Sequence, residues 1–218
     1  MLDGTTLGTL VELMVEAEVL AGSGGRLIPS RMEPDVDHRD IVVADVGGFG
    51  VLWLQVKGTS HPDSEGRIVA FANYAVDAVP ESARLLYLVC LLDVEQHLLA
   101  RTWLVPSADF NHLAYREHSE RAGRVTLQFS CLASGDPRWD RFEVPRLELG
   151  ARLKPLVAAL GPARPRRSAR CATGSLSSSG CLPRIVEWRQ VGFDLGAQVL
   201  KCRRERKALA EVLLRLVG

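Results

Sequence analysis

The chain has 218 residues, of which 47% are hydrophobic and 24% charged, with a formal net charge of +1. This balance suits one mixed domain with a C-terminal appendage and argues against both wholesale disorder and a membrane protein. The longest apolar run, Leu85 to Leu92, falls far short of the roughly 20 residues that a membrane-spanning helix requires.

Met1-Leu2-Asp3 places an acid where a signal peptide would carry a base, and no apolar stretch ends in a small-residue cleavage site, so a cytoplasmic location is expected. From Thr5 to Ala21, the apolar residues Leu7, Leu10, Val11, Met14, Val15, Ala17 and Val19 recur near a period of 3.6, which predicts an amphipathic helix. Gly22-Ser23-Gly24-Gly25 terminates it. Ile41 to Ala44 and Val51 to Val56 are β-rich runs on either side of a glycine-rich connection, the pattern of a hairpin.

Ala70 to Val79, closed by Pro80, reads as a crossover helix or turn. Arg84 to Leu92 and Leu98 to Val105 then predict two adjacent core strands, the second stopped by Pro106-Ser107. Val125 to Cys131 and Phe142 to Val144 add edge strands. Leu147 to Leu160 has helical spacing, with Pro155 expected to kink or shorten it.

At Gly161 the texture changes. The segment 161–183 is rich in Pro, Arg, Ser and Gly and reads as a linker, after which 184–218 resumes a helical pattern through Leu195, Val199, Cys202, Leu209, Leu213 and Leu216. Charge divides at the same place: Met1 to Leu160 holds 15 bases against 22 acids, whereas Gly161 to Lys207 holds 11 against 3. Such polarity suits a phosphate-rich partner, because clustered cations gain affinity by displacing counterions from nucleic acid. Arg164, Arg166, Arg167, Arg170, Lys201, Arg203, Arg204, Arg206 and Lys207 are the candidate contacts. A solvated basic helix offsetting an acidic domain is the alternative, and the C-terminal helix could equally serve a homodimer or a protein partner.

The chemistry concentrates at the hairpin. Asp40 opens its first strand and Gln55-Val56-Lys57 closes the second; residues two apart on a strand share a face, so Gln55 and Lys57 should project together beside Asp40. That set suits phosphodiester hydrolysis, in which acidic and carbonyl oxygens hold Mg²⁺ or Mn²⁺ and an ammonium group orients the attacking water. Asp35 and Asp37 compete with Asp40 for the ligand role, and a buried Gln and Lys need partners that Asp40 and a metal would supply. The five cysteines match no common zinc spacing and read as thiols; His112 and His118 read as solvated surface residues. No nucleophile elbow, phosphate loop or dinucleotide fingerprint is present.

On these residues, over roughly Leu7 to Phe110, the sequence resembles the PD-(D/E)XK nuclease superfamily, with Gly8-x-x-x-Glu12 in the first helix, then Asp40, then Gln55-x-Lys57. The glutamine resembles the variant of the Mrr-type restriction endonucleases. The resemblance implies an α/β, restriction-endonuclease-like core, a central mixed β-sheet flanked by helices, over 1–160, followed by the linker 161–183 and the basic helical extension 184–218. It further implies a metal-dependent DNA endonuclease acting in restriction, repair or anti-phage defence. Glu12, Asp40 and Gln55 would be its metal ligands and Lys57 its catalytic lysine. Glu16 and Glu18 on the same helix compete with Glu12. The competing expectation is an inert nuclease-fold scaffold that binds nucleic acid or protein.

Overall fold

The computed structural model describes residues 3–32, 39–48, 50–119 and 123–160. The chain divides into two units, Met1–Arg166 and Arg167–Gly218, and every described residue belongs to the first. The linker 161–183, the helical extension and all nine candidate phosphate contacts lie outside the described residues.

Helix α1 (Gly4–Gly22) starts where Asp3 accepts the Thr6 amide at 2.9 Å and the Thr6 hydroxyl at 2.6 Å. Those bonds satisfy donors that a helix start otherwise leaves unpaired, and they pull the Asp3 carboxyl below its usual range. Val11, Val15 and Val19, four residues apart, form its fully buried stripe. The helix ends at the glycine-rich segment, where Gly25 donates to the Leu20 carbonyl and both Gly24 and Gly25 adopt positive φ.

Five strands make the central sheet: β1 (Leu27–Arg31), β2 (Ile41–Asp45), β3 (Val51–Thr59), β5 (Leu85–Asp93) and β6 (Leu98–Pro106), in the order β1-β2-β3-β5-β6. β3 and β5 run parallel and all other pairs antiparallel, so the sheet is mixed. A parallel pair requires a crossover. Here the crossover contains β4 (Arg67–Ala75), which leaves the central sheet and pairs in a second one, ordered β4-β8-β7, with β7 (Tyr115–Ser119) and β8 (Arg124–Leu132).

The two faces of the central sheet carry separate cores. Leu52, Leu54, Val56, Leu86, Leu88 and Cys90 pack with α1 and with α4 (Leu149–Ala159) on one side. Leu85, Tyr87, Val89, Trp103 and Val105 pack on the other, against the second sheet, α2 (Ser107–Leu113) and α3 (Pro137–Asp140). β5 is buried on both faces, which is why it reads as an unbroken apolar run. The architecture is a mixed α/β fold with helices on both faces of the central sheet.

The structure corrects several sequence expectations. Ala70 to Val79 is not a crossover helix: its first part is strand, with Ile68, Ala70, Ala72 and Tyr74 buried in strict alternation as the inner face of β4, and a turn follows only at Val76 and Asp77. Val125 to Cys131 is not an edge strand, since β8 lies between β4 and β7. Phe142 to Val144 makes a single bridge, Trp103 to Glu143, and α4 continues through Pro155.

Candidate functional site

The β2–β3 hairpin brings Asp40 to Lys57. Its last antiparallel pair is Ile41 with Leu54; one step further, the Asp40 N–H donates to the Leu54 carbonyl at 3.1 Å. On its other side, the Asp40 carbonyl accepts the Met32 amide at 2.9 Å, so the residue is held between the ends of β1 and β3. The Asp40 side chain then takes over the ladder: Oδ2 accepts the Val56 amide at 2.6 Å. Lys57 Nζ lies 3.8 Å from that same oxygen, with about a quarter of its side chain exposed.

Gln55 is turned inward. It is 1% exposed, and its Oε1 accepts the Tyr74 hydroxyl of β4. The Tyr74 oxygen lies 2.6 Å from the Tyr87 hydroxyl, and Tyr87 is the direct partner of Gln55 in the parallel β3–β5 register. Burial, reinforced by the neighbouring Tyr87, pushes the Tyr74 phenol well above its usual range; burial pushes the Tyr87 phenol up to about 12. Both therefore stay neutral donors at physiological pH. Because one hydroxyl holds the amide from the core side, the Gln55 side chain is fixed without any charge, and an amide oxygen keeps a second lone pair.

Glu12 arrives from the opposite face, the α1 side. Gly58 permits the approach: a Cβ there would lie 2.7 Å from Val11 Cγ2, so the Val11 side chain packs directly on the bare backbone of β3. Burial raises the Glu12 carboxyl above its usual range, the Asp40 charge raises it further, and Arg31 and Lys57 oppose both. Glu12, Asp40 and Lys57 thus share one electrostatic environment. The competitors are otherwise engaged: Glu16 pairs with Arg31 at 3.7 Å, and Glu18 pairs with Arg146. Asp35 and Asp37 lie outside the described residues, as do Cys171, Cys181 and Cys202. His112 and His118 are exposed, and Cys90 and Cys131 are free thiols.

Lys57 also lines an open groove of about 320 Å³ with Leu7, Thr59, His61 and Phe71. Among the described residues, no group of three or more His, Cys, Asp or Glu side chains converges as a metal site. Two carboxylates with water can still suffice for Mg²⁺, which keeps several waters and the substrate's own phosphate oxygens. Asp40 and Glu12 are the two carboxylates here, and the Asp40 charge adds to the cost of ionising Glu12, which a cation would offset.

Sequence reasoning missed Tyr74 and Tyr87. The signal that would have found them is the parallel pairing of β3 with β5, which hairpin logic does not supply.

No protein-family model matches this sequence, and no curated protein does. Among solved structures, a bacterial homing endonuclease superposes over 73% of this chain and 96% of its own, with 14% identity and a TM-score of 0.48. A likeness at that level decides nothing about the activity of this chain. No helix among the described residues is long and apolar enough to cross a membrane.

Proposed function

We propose that the chain is a metal-dependent nuclease of PD-(D/E)XK type that hydrolyses phosphodiester bonds in DNA. The observation that carries this reading is the 3.8 Å approach of Lys57 Nζ to Asp40 Oδ2 at the end of β3, beside the buried amide of Gln55. Asp40 and Glu12 would hold Mg²⁺ or Mn²⁺, with the second lone pair of Gln55 available to the same ion; the metal would supply Lewis-acid stabilisation of charge on the phosphoryl oxygens. Lys57 orients the attacking water and offsets charge as the water oxygen bonds to phosphorus and the ester oxygen departs. Asp40 holds the lysine in place. The buried tyrosine pair prevents Gln55 from rotating.

Incubating the full chain with plasmid DNA and Mg²⁺ tests this directly. Cleavage by the wild type and its loss in Lys57→Ala, with the fold intact by circular dichroism, is the expected result; equal cleavage by both proteins would remove Lys57 from the chemistry. A second reading, an inert nuclease-fold scaffold, draws on the neutral Gln55 and its inward hydrogen bond. It requires that Mn²⁺ affinity be the same in wild type and Asp40→Asn.

A further inference from the structure

The groove beside Lys57 continues onto an aromatic surface. Phe71, on the outer face of β4, lines the groove and is 53% exposed. In the register of the second sheet, Phe71 stands opposite Gln128 of β8, and Gln128 stands opposite Tyr115 of β7. Tyr115 is 63% exposed. One cross-strand row therefore presents two solvent-facing aromatic rings with an amide between them, roughly 10 Å apart at two strand spacings. The same outer face carries Arg67 and Arg124 against Glu117.

We propose that this face binds single-stranded nucleic acid, with one unpaired base stacked on Phe71, a neighbouring base on Tyr115, and the backbone beyond Phe71 led into the groove toward Lys57. The physical basis is that every base has a π-face that stacks on an exposed ring, whereas bases in an intact duplex present only their edges. A duplex would have to unpair or flip a base to use the surface. The row is continuous with the groove through Phe71 itself, so the strand that stacks is the strand that reaches Lys57. This inference rests on the nuclease reading only for the fate of the bound strand, and it names the substrate class: single-stranded segments, or duplexes with unpaired bases at the scissile site.

The test uses the full chain in EDTA, so that binding is read without cleavage, and follows the fluorescence anisotropy of a labelled thymidine oligomer of about twelve nucleotides, within the range of known single-strand sites. Phe71→Ala and Tyr115→Ala should each weaken single-strand binding about tenfold, and Phe71→Tyr should restore it, because alanine removes the ring on which the base stacks. Duplex binding should stay within about twofold of wild type in both alanine variants if its contacts are to phosphates. Unchanged single-strand affinity in both alanine variants, or equal losses on single strand and duplex, would overturn the proposal, as would the absence of single-strand binding by wild type. Plasmid cleavage measured separately with Mg²⁺ keeps the readings apart. A chain that stacks single strands but cuts nothing would retain this site and lose the nuclease, and a chain that cuts with both aromatics dispensable would do the reverse.

Discussion

A single oxygen of Asp40 accepts the Val56 amide at 2.6 Å and faces Lys57 Nζ at 3.8 Å, so strand pairing and candidate chemistry share one atom. Asp40→Ala therefore confounds the two. It leaves a part-buried N–H without a partner, at a cost of about 1–3 kcal/mol, and deletes the charge as well. Asp40→Asn keeps an acceptor oxygen. Its thermal midpoint is expected close to that of wild type while Mn²⁺ affinity and cleavage are lost; an Asn variant as unstable as the Ala variant would show that charge, not the hydrogen bond, holds the end of β3.

The Tyr87–Tyr74–Gln55 chain has a direction that stability can read. Tyr74 donates to Gln55, which leaves its oxygen to accept from Tyr87. Tyr74→Phe strands two buried groups, the Gln55 oxygen and the Tyr87 hydroxyl, whereas Tyr87→Phe strands only an acceptor lone pair. Urea unfolding should rank Tyr74→Phe as the costlier by about 1–3 kcal/mol. Adding Tyr87→Phe to Tyr74→Phe should then cost less than the two singles together, since the second change removes a group the first had stranded. Equal single costs would show that Tyr74 does not bridge the other two groups.

The pH dependence of stability should expose Glu12. Its carboxyl is raised in the folded state, by burial first and by the Asp40 charge second. The folded chain therefore holds a proton that the unfolded chain has released, and stability falls as pH rises from the ordinary carboxylate pKa through the raised one. Glu12→Gln should flatten that part of the profile and give a higher midpoint than wild type at pH 7, with the difference closing toward pH 4. Mn²⁺ should raise the wild-type midpoint and leave Glu12→Gln unmoved. A wild-type profile that is flat across this window would show that Glu12 is solvated and not part of the cluster.

Two glycines of the expected motif region separate packing from propensity. At Gly58 a Cβ would press on Val11, whereas at Gly8 it meets nothing within 4 Å. Gly58→Ala should lose about 1–3 kcal/mol through overpacking and weaken Mn²⁺ binding by displacing α1 and Glu12. Gly8→Ala, in a helix with open space, should gain up to about 1 kcal/mol and leave binding alone. Calorimetric unfolding of both variants decides it: a neutral Gly58→Ala would mean that α1 and β3 are not locked together.

The legibility of this fold followed the range of its interactions. α1 and the β2–β3 hairpin were readable because a 3.6-residue period, a glycine stop and two β-rich runs are local signals, and the spacing of Asp40, Gln55 and Lys57 is local too. β4 was misread because Ala70, Ala72 and Asn73 are small or polar, and its inward alternation gains meaning only against β8, more than fifty residues away. β1 was passed over because Pro29 breaks a short run at the sheet edge, where a missing N–H costs little. The tyrosine pair escaped for the same reason as β4: Gln55 meets Tyr87 only once β3 and β5 lie parallel, and no spacing within the hairpin encodes that.

The basic extension provides the last prediction. Met1–Arg166 carries 17 bases against 22 acids, and a unit with that surplus of negative charge gains little from a polyanion. Most of the bases proposed to contact phosphate, from Arg167 through Lys207, lie beyond that boundary. Truncation after Arg166 also retains Leu160, whose carbonyl accepts from Arg84 at 2.6 Å; Arg84 also donates to the Val51 carbonyl, so it fastens the end of α4 to the starts of β3 and β5. The truncated protein is therefore expected to fold. Its affinity for a labelled duplex should fall, and the slope of log affinity against log salt should become shallower by about 0.9 for each phosphate contact removed. Titrations at several salt concentrations, with circular dichroism to confirm folding, measure both quantities. Equal affinity and equal slope would assign the extension to assembly or partner binding and leave phosphate contact to the groove and sheet face alone.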